Sequence, residues 1–194
     1  MHNWIKHPLS LKGQLVELIP LEKFHFEELA ALAANKKIWE FLPSDCSNAE
    51  VFIKEYEEAL VERERGNHYP FVIRLLETGK LIGSTRFFDI HPSHRKLEIG
   101  WTWLHPDYWG TAINFDCKLL LLTYCFETLK AIRVQLKTSD TNIRSRKAIE
   151  KIGGQFEGIL RKDRIRANGS IRNSAYYSIL DEEWEKVKSE IFKA

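Results

Sequence analysis

The stretch PDYWGTAINFDCKLLLLTYCFETL, residues 106–129, decides the fold, because a compact loop there runs into the longest helical pattern of the chain. Gly110 and Ala112 add little bulk to that loop, and the first N–H groups of a following helix have no partner within the helix. Such a site attracts anions, and this one suits a pyrophosphate. The helix is predicted by an apolar stripe at steps of four and three residues: Phe115, Leu119, Leu122, Phe126 and Leu129.

The predicted strands and helices follow one another along the chain in the order β-α-α-β-β-β-α-β-α-β-β-α. Apolar runs and alternating patterns predict strands over residues 13–19, 69–76, 80–90, 97–104, 132–138, 156–166 and 171–180. Helical patterns and capping residues predict further helices over residues 21–34, from 47 to about 65, 141–154 and 181–192.

The connections between these strands predict the topology of the sheet. Glu77-Thr78-Gly79 and Ala167-Asn168-Gly169-Ser170 each separate two β-runs, which is typical of antiparallel hairpins. The strand–helix–strand unit over residues 97–138 instead requires a parallel, right-handed crossover. The sequence therefore predicts the α/β (α+β) class, with one mixed, mostly antiparallel sheet of about seven strands and helices on both faces.

The length and composition of the chain limit its possible architecture and its possible binding partners. The 194 residues suit a single domain, 1–194, with residues 1–12 as an N-terminal arm. A formal net charge of +2 is too balanced to predict direct nucleic-acid binding. The longest apolar run, residues 119–122, is too short for a membrane span, and the N-terminus lacks the apolar core of a signal peptide. An odd number of cysteines and the lack of a Cys/His cluster predict free thiols, no metal site and a cytoplasmic protein.

Four segments carry a family pattern in order: EIGWTWLHPDYWGTAIN at 98–114, TNIRSRKAIEKIGG at 141–154, FEGILR at 156–161 and the Tyr176-Tyr177 strand. With them, residues 13–192 resemble the GNAT superfamily of acetyl-CoA-dependent N-acetyltransferases, in particular the ribosomal-protein N-terminal (serine/alanine) acetyltransferases. The resemblance implies direct transfer of an acetyl group from acetyl-CoA to a primary amine, with no metal. It favours a protein N-terminus as acceptor. A small-molecule amine (amino sugar, polyamine or antibiotic) and a non-catalytic coenzyme-A-binding module remain alternatives.

The resemblance also implies which residues hold coenzyme A. The pantetheine arm would pair like an extra strand with residues 102–104, the diphosphate would rest on the loop amides, and two residues of the next helix would face the sulfur. One face of that helix is predicted to be basic and to attract the phosphates, unless it is merely solvated: Arg144, Arg146, Lys147 and Lys151. The predicted cofactor-binding residues are Thr102, Trp103, Leu104, Trp109, Gly110, Thr111, Ala112, Ile113, Asn142, Ser145 and Arg146.

Three positions depart from the family pattern. The loop usually reads Gln/Arg-x-x-Gly-x-Gly/Ala, whereas Asp107 takes the first place here and Ala112 the last. We predict a helical φ at Ala112, because a positive φ would cost about 1–2 kcal/mol, and an Asp107 side chain that points away from the phosphates. Some ribosomal-protein acetyltransferases have a proposed glutamate base where this sequence aligns Arg164.

Acyl transfer to an amine needs a base, and the departing thiolate benefits from a proton donor. Ser145 is the predicted donor; the alternative is that its hydroxyl bonds back to its own helix. Asn142 begins the same helix, where capping and a catalytic role are compatible.

Glu98 is the predicted base, because a carboxylate in a middle strand would lie in a cleft with a shifted pKa. The alternative is a solvated strand residue, or one that pairs with Arg95 or Lys96. His91 and His105, at strand ends, are weaker candidates for the base.

Aromatic residues suggest the acceptor pocket and an interface. Trp39 and Phe41 are predicted to bind the substrate, with plain packing as an equal alternative, while Trp101 is predicted to be core. The aromatic-rich surface and the habit of the family are compatible with a homodimer.

Overall fold

The computed structural model describes residues 4–193, which form one eight-stranded sheet in the order β1-β2-β3-β4-β5-β6-β8-β7. The strands are β1 (Leu11–Lys12), β2 (Val16–Pro20), β3 (Tyr69–Leu75), β4 (Leu81–His91), β5 (Lys96–Leu104), β6 (Arg133–Ser139), β7 (Gln155–Ile165) and β8 (Ile171–Leu180). The α-helices are α1 (Phe26–Ala33), α2 (Ala49–Glu64), α3 (Ile113–Thr123), α4 (Ile143–Lys151) and α5 (Asp181–Lys186).

The predicted fold class is confirmed. The β3–β4 and β7–β8 hairpins are antiparallel, and β5 and β6 are the parallel pair that the crossover through α3 requires. The eighth strand is β1, a two-residue strand within the predicted arm. Elsewhere in that arm, the Ile5 side chain is buried and the Leu9 N–H donates to the Tyr69 hydroxyl at 2.7 Å. Residues 1–3 of the arm lie outside the described residues.

The parallel pair β5–β6 is short, and this creates an opening in the sheet. The two strands pair only from Lys96 to Glu98 on β5, while β6 pairs along its whole length with β8 on its other edge. A bulge in the β4–β5 ladder follows, with Trp101 at φ +50°. Within residues 4–193, no strand pairs with the β6-facing edge of β5 beyond Glu98.

Two apolar cores lie on opposite faces of the sheet. The larger core packs α3 and α5 against the sheet, and the smaller core packs α1 and α2 against it. The predicted stripe of α3 is partly wrong, since Phe115 and Leu119 are only half-buried. The helix instead turns Cys117 and Leu121 fully inward, and Phe115 packs at the edge against Phe192.

None of the helices described within residues 4–193 is long and apolar enough to cross a membrane. The three cysteines, Cys46, Cys117 and Cys125, are buried free thiols, as the sequence predicted.

Candidate active site

A cavity of about 660 Å³ occupies the opening between β5 and β6 and extends beneath α2 and α4. It brings together nine of the predicted site residues: Phe41, Glu98, Thr102, Trp103, Leu104, Trp109, Gly110, Asn142 and Ser145. Residues far apart in the sequence thus line one space. The other predicted residues do not line it: Trp39, Thr111, Ala112, Ile113 and Arg146.

Glu98 lies at the point where β5 and β6 separate, and it is only 1% exposed. Its Oε2 accepts a hydrogen bond from Gln135 Nε2 at 2.7 Å and forms an ion pair with Lys137 Nζ at 3.0 Å. Its Oε1 is buried with no partner in the described part of the chain. Burial raises the pKa of this carboxyl group, while Lys137 and Gln135 oppose the rise. The alternative of a pairing with Arg95 or Lys96 does not hold, because the ion pair is formed with Lys137.

Space beside the free oxygen of Glu98 is kept by a glycine. A Cβ on Gly100 would lie 2.6 Å from a ring carbon of Phe88 and 3.6 Å from Glu98 Oε1. The first distance is too short for a real contact, so a side chain at position 100 would displace Phe88 and fill the space next to Oε1.

Asn142 and Ser145 lie at the first turn of α4. The Asn142 side chain caps the helix by accepting a hydrogen bond from the Ser145 N–H at 3.1 Å. Ser145 is half-buried and lines the cavity. Its hydroxyl makes no hydrogen bond with the rest of residues 4–193, so the alternative of a bond back to its own helix does not hold.

The loop before α3 presents unpaired amides. Trp109 N–H already donates to Pro106 O at 3.0 Å, and Ile113 N–H makes a long contact of 3.4 Å with Thr111 Oγ1. The amides of Gly110, Thr111 and Ala112 have no acceptor within the described residues. Of the five predicted coenzyme-binding residues from Trp109 to Ile113, three therefore have amides that are free to bind an anion.

The two small residues of this loop have different backbone conformations. Ala112 has φ −71°, as predicted for a helical residue, while Gly110 has φ +76°. A Cβ at Gly110 would have no heavy atom within 4 Å, so there is room for a side chain. Glycine is favoured at this position only because the backbone has a positive φ. The Asp107 side chain is 79% exposed, and its carboxylate lies 3.3 Å from His105 Nδ1.

Gly110→Ala is expected to lower the free energy of unfolding by about 1–2 kcal/mol, because the left-handed φ is unfavourable for alanine. If the loop instead relaxes, its free amides move and the affinity for coenzyme A falls. Ala112→Gly is the matched control, since helical φ makes no such demand. Chemical denaturation and calorimetric titration of both variants measure these effects, and equal behaviour of the two variants would contradict this interpretation of the loop.

The basic residues of α4 do not share one face, contrary to the prediction. Arg146 points away from the cavity, where its Nε donates to the Tyr177 hydroxyl at 2.8 Å, and this bond raises the pKa of the guanidinium. Arg144 lines the cavity instead, with its guanidinium carbon 3.7 Å from the Trp109 ring centroid. Successive residues of a helix point about 100° apart, so a shift of two positions changes the side.

The aromatic predictions have mixed outcomes. Trp39 is core rather than pocket: it is buried, its Nε1 donates to Ala33 O at 2.7 Å, and it packs against Trp103. Phe41 lines the cavity, and its role in substrate binding stays a prediction. Trp101 was predicted to be core, but it is half-buried and lines the cavity, because the bulge turns it out of the sheet.

The other candidates for the base are outside the cavity. His91 pairs with Asp89 at 2.9 Å, and His105 lies beside Asp107. Neither histidine lines the cavity. Arg164, at the position where some relatives have a proposed glutamate, lies on β7 and does line it.

Lys118 is a cavity residue that the sequence analysis missed. It is buried on α3, and its Nζ donates to Thr102 Oγ1 at 2.9 Å. The nearest acid along the helix, Asp116, instead accepts from the amides of Leu15 and Val16. Burial lowers the pKa of Lys118 to about 8. The available signal was a lone charge next to the apolar run of residues 119–122.

Two further cavity residues were also missed, Arg86 and His68. Arg86 is 3% exposed on β4, and burial lowers its pKa. Burial likewise lowers the pKa of His68 to about 4, so its ring is neutral at pH 7. An arginine within the apolar β4 run was a usable signal, whereas nothing in the sequence distinguishes His68.

Comparison with known proteins gives a consistent result. Residues 16–155 match the family model described as "Acetyltransferase (GNAT) domain". The Bacillus subtilis protein "Putative ribosomal N-acetyltransferase YdaF" is 31% identical over 153 residues, which cover 77% of this chain and 80% of that protein. A solved structure described as a "putative acetyltransferase from T. thermophilus" is 32% identical, with a TM-score of 0.86, and the match covers 97% of this chain and 98% of that one.

A more distant solved structure shares the fold. Mycobacterium smegmatis RimJ in complex with CoA-disulfide is 21% identical to this chain, with a TM-score of 0.79, and the match covers 94% of this chain and 91% of that one.

Proposed function

The chain belongs to the GNAT acetyltransferase family and is an acyltransferase enzyme, and on this premise we propose that it moves an acetyl group from acetyl-CoA directly to a primary amine. The observation that carries the proposal is the cavity in which Glu98 and Ser145 meet the open edge of β5. GNAT acetyltransferases use acetyl-CoA, and the structural neighbour RimJ was solved with a coenzyme A derivative.

The residues at the open edge of β5, in the loop before α3 and on α4 offer groups that suit the binding of coenzyme A. The edge of β5 beyond Glu98 has no strand partner among the described residues, so the backbone of residues 102–104 is available to an extended pantetheine arm. The amides of Gly110, Thr111 and Ala112 lie before the N-terminus of α3, where the helix dipole favours the diphosphate. Arg144 is the basic side chain of α4 that lines the cavity, and it replaces Arg146 as the phosphate-binding candidate.

Acetyl-CoA supplies a thioester whose carbonyl carbon is open to attack by an amine. An α-amino group has a pKa near ~8 and a lysine one near ~10.4, so the amine must lose a proton to react at neutral pH. Glu98 Oε1 accepts that proton, while Gln135 and Lys137 fix the orientation of the carboxylate through Oε2. Thr102 and Lys118 hold the strand that pairs with the coenzyme, and the Lys118 ammonium adds a positive charge beside it.

Ser145 completes the proton balance. As the C–N bond forms and the C–S bond breaks, the amine proton goes to Glu98 and the departing thiolate receives a proton from the Ser145 hydroxyl. Ser145 regains a proton from water in the open cavity and Glu98 releases its proton to water, so that one proton moves in total from the amine to the thiol. The free hydroxyl of Ser145 in the cavity supports this role.

Ser145→Ala is expected to lower kcat by about 100-fold, the low end for acid–base catalysis, because a thiolate is already a good leaving group. Ser189→Ala is the matched control, since the Ser189 hydroxyl bonds back to Glu185 O at 2.9 Å and lies outside the cavity. Steady-state assay of thiol release measures both variants. Unchanged turnover in Ser145→Ala would remove this residue from the donor role.

The acceptor is proposed only as a primary amine. The name of the relative YdaF favours a ribosomal acceptor, whereas the partly enclosed cavity suits a small molecule equally well. A homodimer and a cytoplasmic location are also proposals. The first is supported by exposed apolar side chains on the edge strand β7 (Phe156, Ile159, Leu160 and Ile165), and the second by the three free thiols.

Thermal unfolding with acetyl-CoA tests the proposed cofactor. At about 100 times its Kd the ligand should stabilise the chain by about 2.7 kcal/mol, which raises Tm by about 5–10 °C for a chain of this size. Absence of any shift would contradict both the enzyme and the alternative of a non-catalytic coenzyme-A-binding module.

A further inference from the structure

Arg86 is a buried cation on the side of the sheet that faces α2. It is 3% exposed and lines the cavity, with its guanidinium carbon 4.5 Å from the Trp101 ring centroid and 5.6 Å from that of Tyr56 on α2. Lys118 reaches Thr102 from α3, on the other face. Within residues 4–193, no carboxylate lies within the 4.0 Å of an ion pair with Arg86. The charge of Glu55, which lies beyond ion-pair distance, offsets only part of the cost of burying this guanidinium, so a ligand that brings a carboxylate into contact with Arg86 is favoured.

The register of the sheet places Arg86 close to the proposed base. Arg86 pairs with Gly100 across the β4–β5 ladder, and Glu98 pairs with Phe88. The two side chains are therefore diagonal neighbours on one face, and such residues are about 7–8 Å apart. One small molecule can contact both the free oxygen of Glu98 and the guanidinium of Arg86.

A second buried arginine lines the same cavity. Arg172 on β8 is 5% exposed, its guanidinium donates to Phe41 O at 3.2 Å, and its Nε is buried without a partner in the described part of the chain. Burial lowers the pKa of Arg172, and the neighbouring Arg166 lowers it further. The floor of the cavity thus holds two guanidinium groups that are incompletely paired.

We propose that the acceptor is a small amine that also carries a carboxylate, such as a free amino acid, with the carboxylate bound by Arg86 and the amine beside Glu98. The planar guanidinium matches the two oxygens of a carboxylate. Glu55, Glu58 and Glu62 line the same cavity, and their charges oppose a doubly charged phosphate more strongly than a singly charged carboxylate. This inference rests on the proposed acetyl transfer and narrows its acceptor from any primary amine to an amino carboxylate.

The test compares matched acceptors on one enzyme. Acetyl-CoA is offered with a set of amino acids, with the carboxamide of each and with the amine left when the carboxylate is removed. The expected ratio of kcat/KM for acid over amide is about 10- to 150-fold, the value of a hydrogen bond to a charged group. Arg86→Gln should bring this ratio close to one. Arg86→Lys should give an intermediate ratio, because lysine keeps the positive charge but lacks the paired N–H donors of the planar guanidinium.

Arg161→Gln is the control, because Arg161 is exposed on β7 and lies outside the cavity, and it should keep the full ratio. The readout is a ratio of two substrates, so a partly unfolded variant still reports it. Equal rates with acids and amides, an unchanged ratio in Arg86→Gln, or acetylation of peptides but not of free amino acids would overturn this inference and leave acetyl transfer intact. Absence of thiol release with every amine would instead contradict the proposed function.

Discussion

Glu98→Gln is expected to lower kcat by about 10²–10⁴-fold, the contribution of a positioned general base. The amide keeps an oxygen that can accept from Gln135 and Lys137, the two partners of Oε2, so the fold and the cavity should persist. The variant loses the group that takes the amine proton. Single-turnover kinetics with acetyl-CoA and a reactive amine measure the loss directly, with coenzyme affinity measured in parallel by titration.

The pH dependence of Glu98 gives an independent check. Burial raises its pKa above the ordinary value of 4.5, and the base works as the carboxylate. The acidic limb of kcat/KM should therefore lie above pH 4.5 in the wild type and disappear in Glu98→Gln. Because the folded-state pKa is the higher one, the stability that this group contributes is fully present below the unfolded pKa and is lost as pH rises through the folded pKa.

The control for Glu98→Gln is Glu77→Gln, an exposed carboxylate in the β3–β4 turn. It should change neither kcat nor the pH profile. If Glu98→Gln retained the wild-type rate and the same acidic limb, Glu98 would not be the base.

Lys118→Met is expected to make the enzyme more stable and its coenzyme binding weaker. Burial lowers the pKa of Lys118 from 10.5 to about 8, which corresponds to a penalty of about 3 kcal/mol for the charged form at pH 7. Methionine has a similar length without the charge. The affinity for acetyl-CoA should fall by about 10- to 100-fold, because a charged donor beside Thr102 is removed.

The same lysine predicts a pH signature with a definite sign. Between about pH 8 and 10.5 the unfolded chain binds more protons at this residue than the folded chain, so the stability of the wild type should rise with pH across that window. In Lys118→Met this rise should be absent. Urea unfolding at about pH 7, 9 and 10.5 measures it.

Lys147→Met is the control for Lys118→Met, because Lys147 is an exposed lysine on α4 and its replacement should change stability by less than about 0.5 kcal/mol. If Lys118→Met were less stable than the wild type at pH 7, or bound acetyl-CoA equally well, the role given to this buried ammonium would be wrong.

The sequence predicted the sheet well because its signals are local. The hairpin over residues 167–170 and the alternation in β6 depend on neighbours in the chain, and the helical φ of Ala112 follows from its place before α3. The opening between β5 and β6 could not be predicted in this way. It depends on where a parallel pair separates and on a bulge at Trp101, and both are set by contacts between distant residues.

The site was predicted in part, for reasons that individual residues make clear. Glu98 and Ser145 line one cavity because a strand and a helix that the pattern identified converge there. The sequence pattern favours Arg146 over Arg144 wrongly, because it gives the spacing of residues along α4 but not the rotation of this short helix against the sheet. Trp39 packs into the core through a bond to Ala33 O that no sequence pattern encodes.

Simultaneous measurement of thiol release and of acetylated product tests the central claim most directly. Purified enzyme is incubated with acetyl-CoA and each amine of a panel, and free thiol and N-acetyl product are counted in the same reaction. We expect one thiol for each acetylated amine with at least one acceptor, and loss of both thiol and product in Glu98→Gln. Stabilisation of the chain by acetyl-CoA with neither thiol nor product from any amine would contradict this claim.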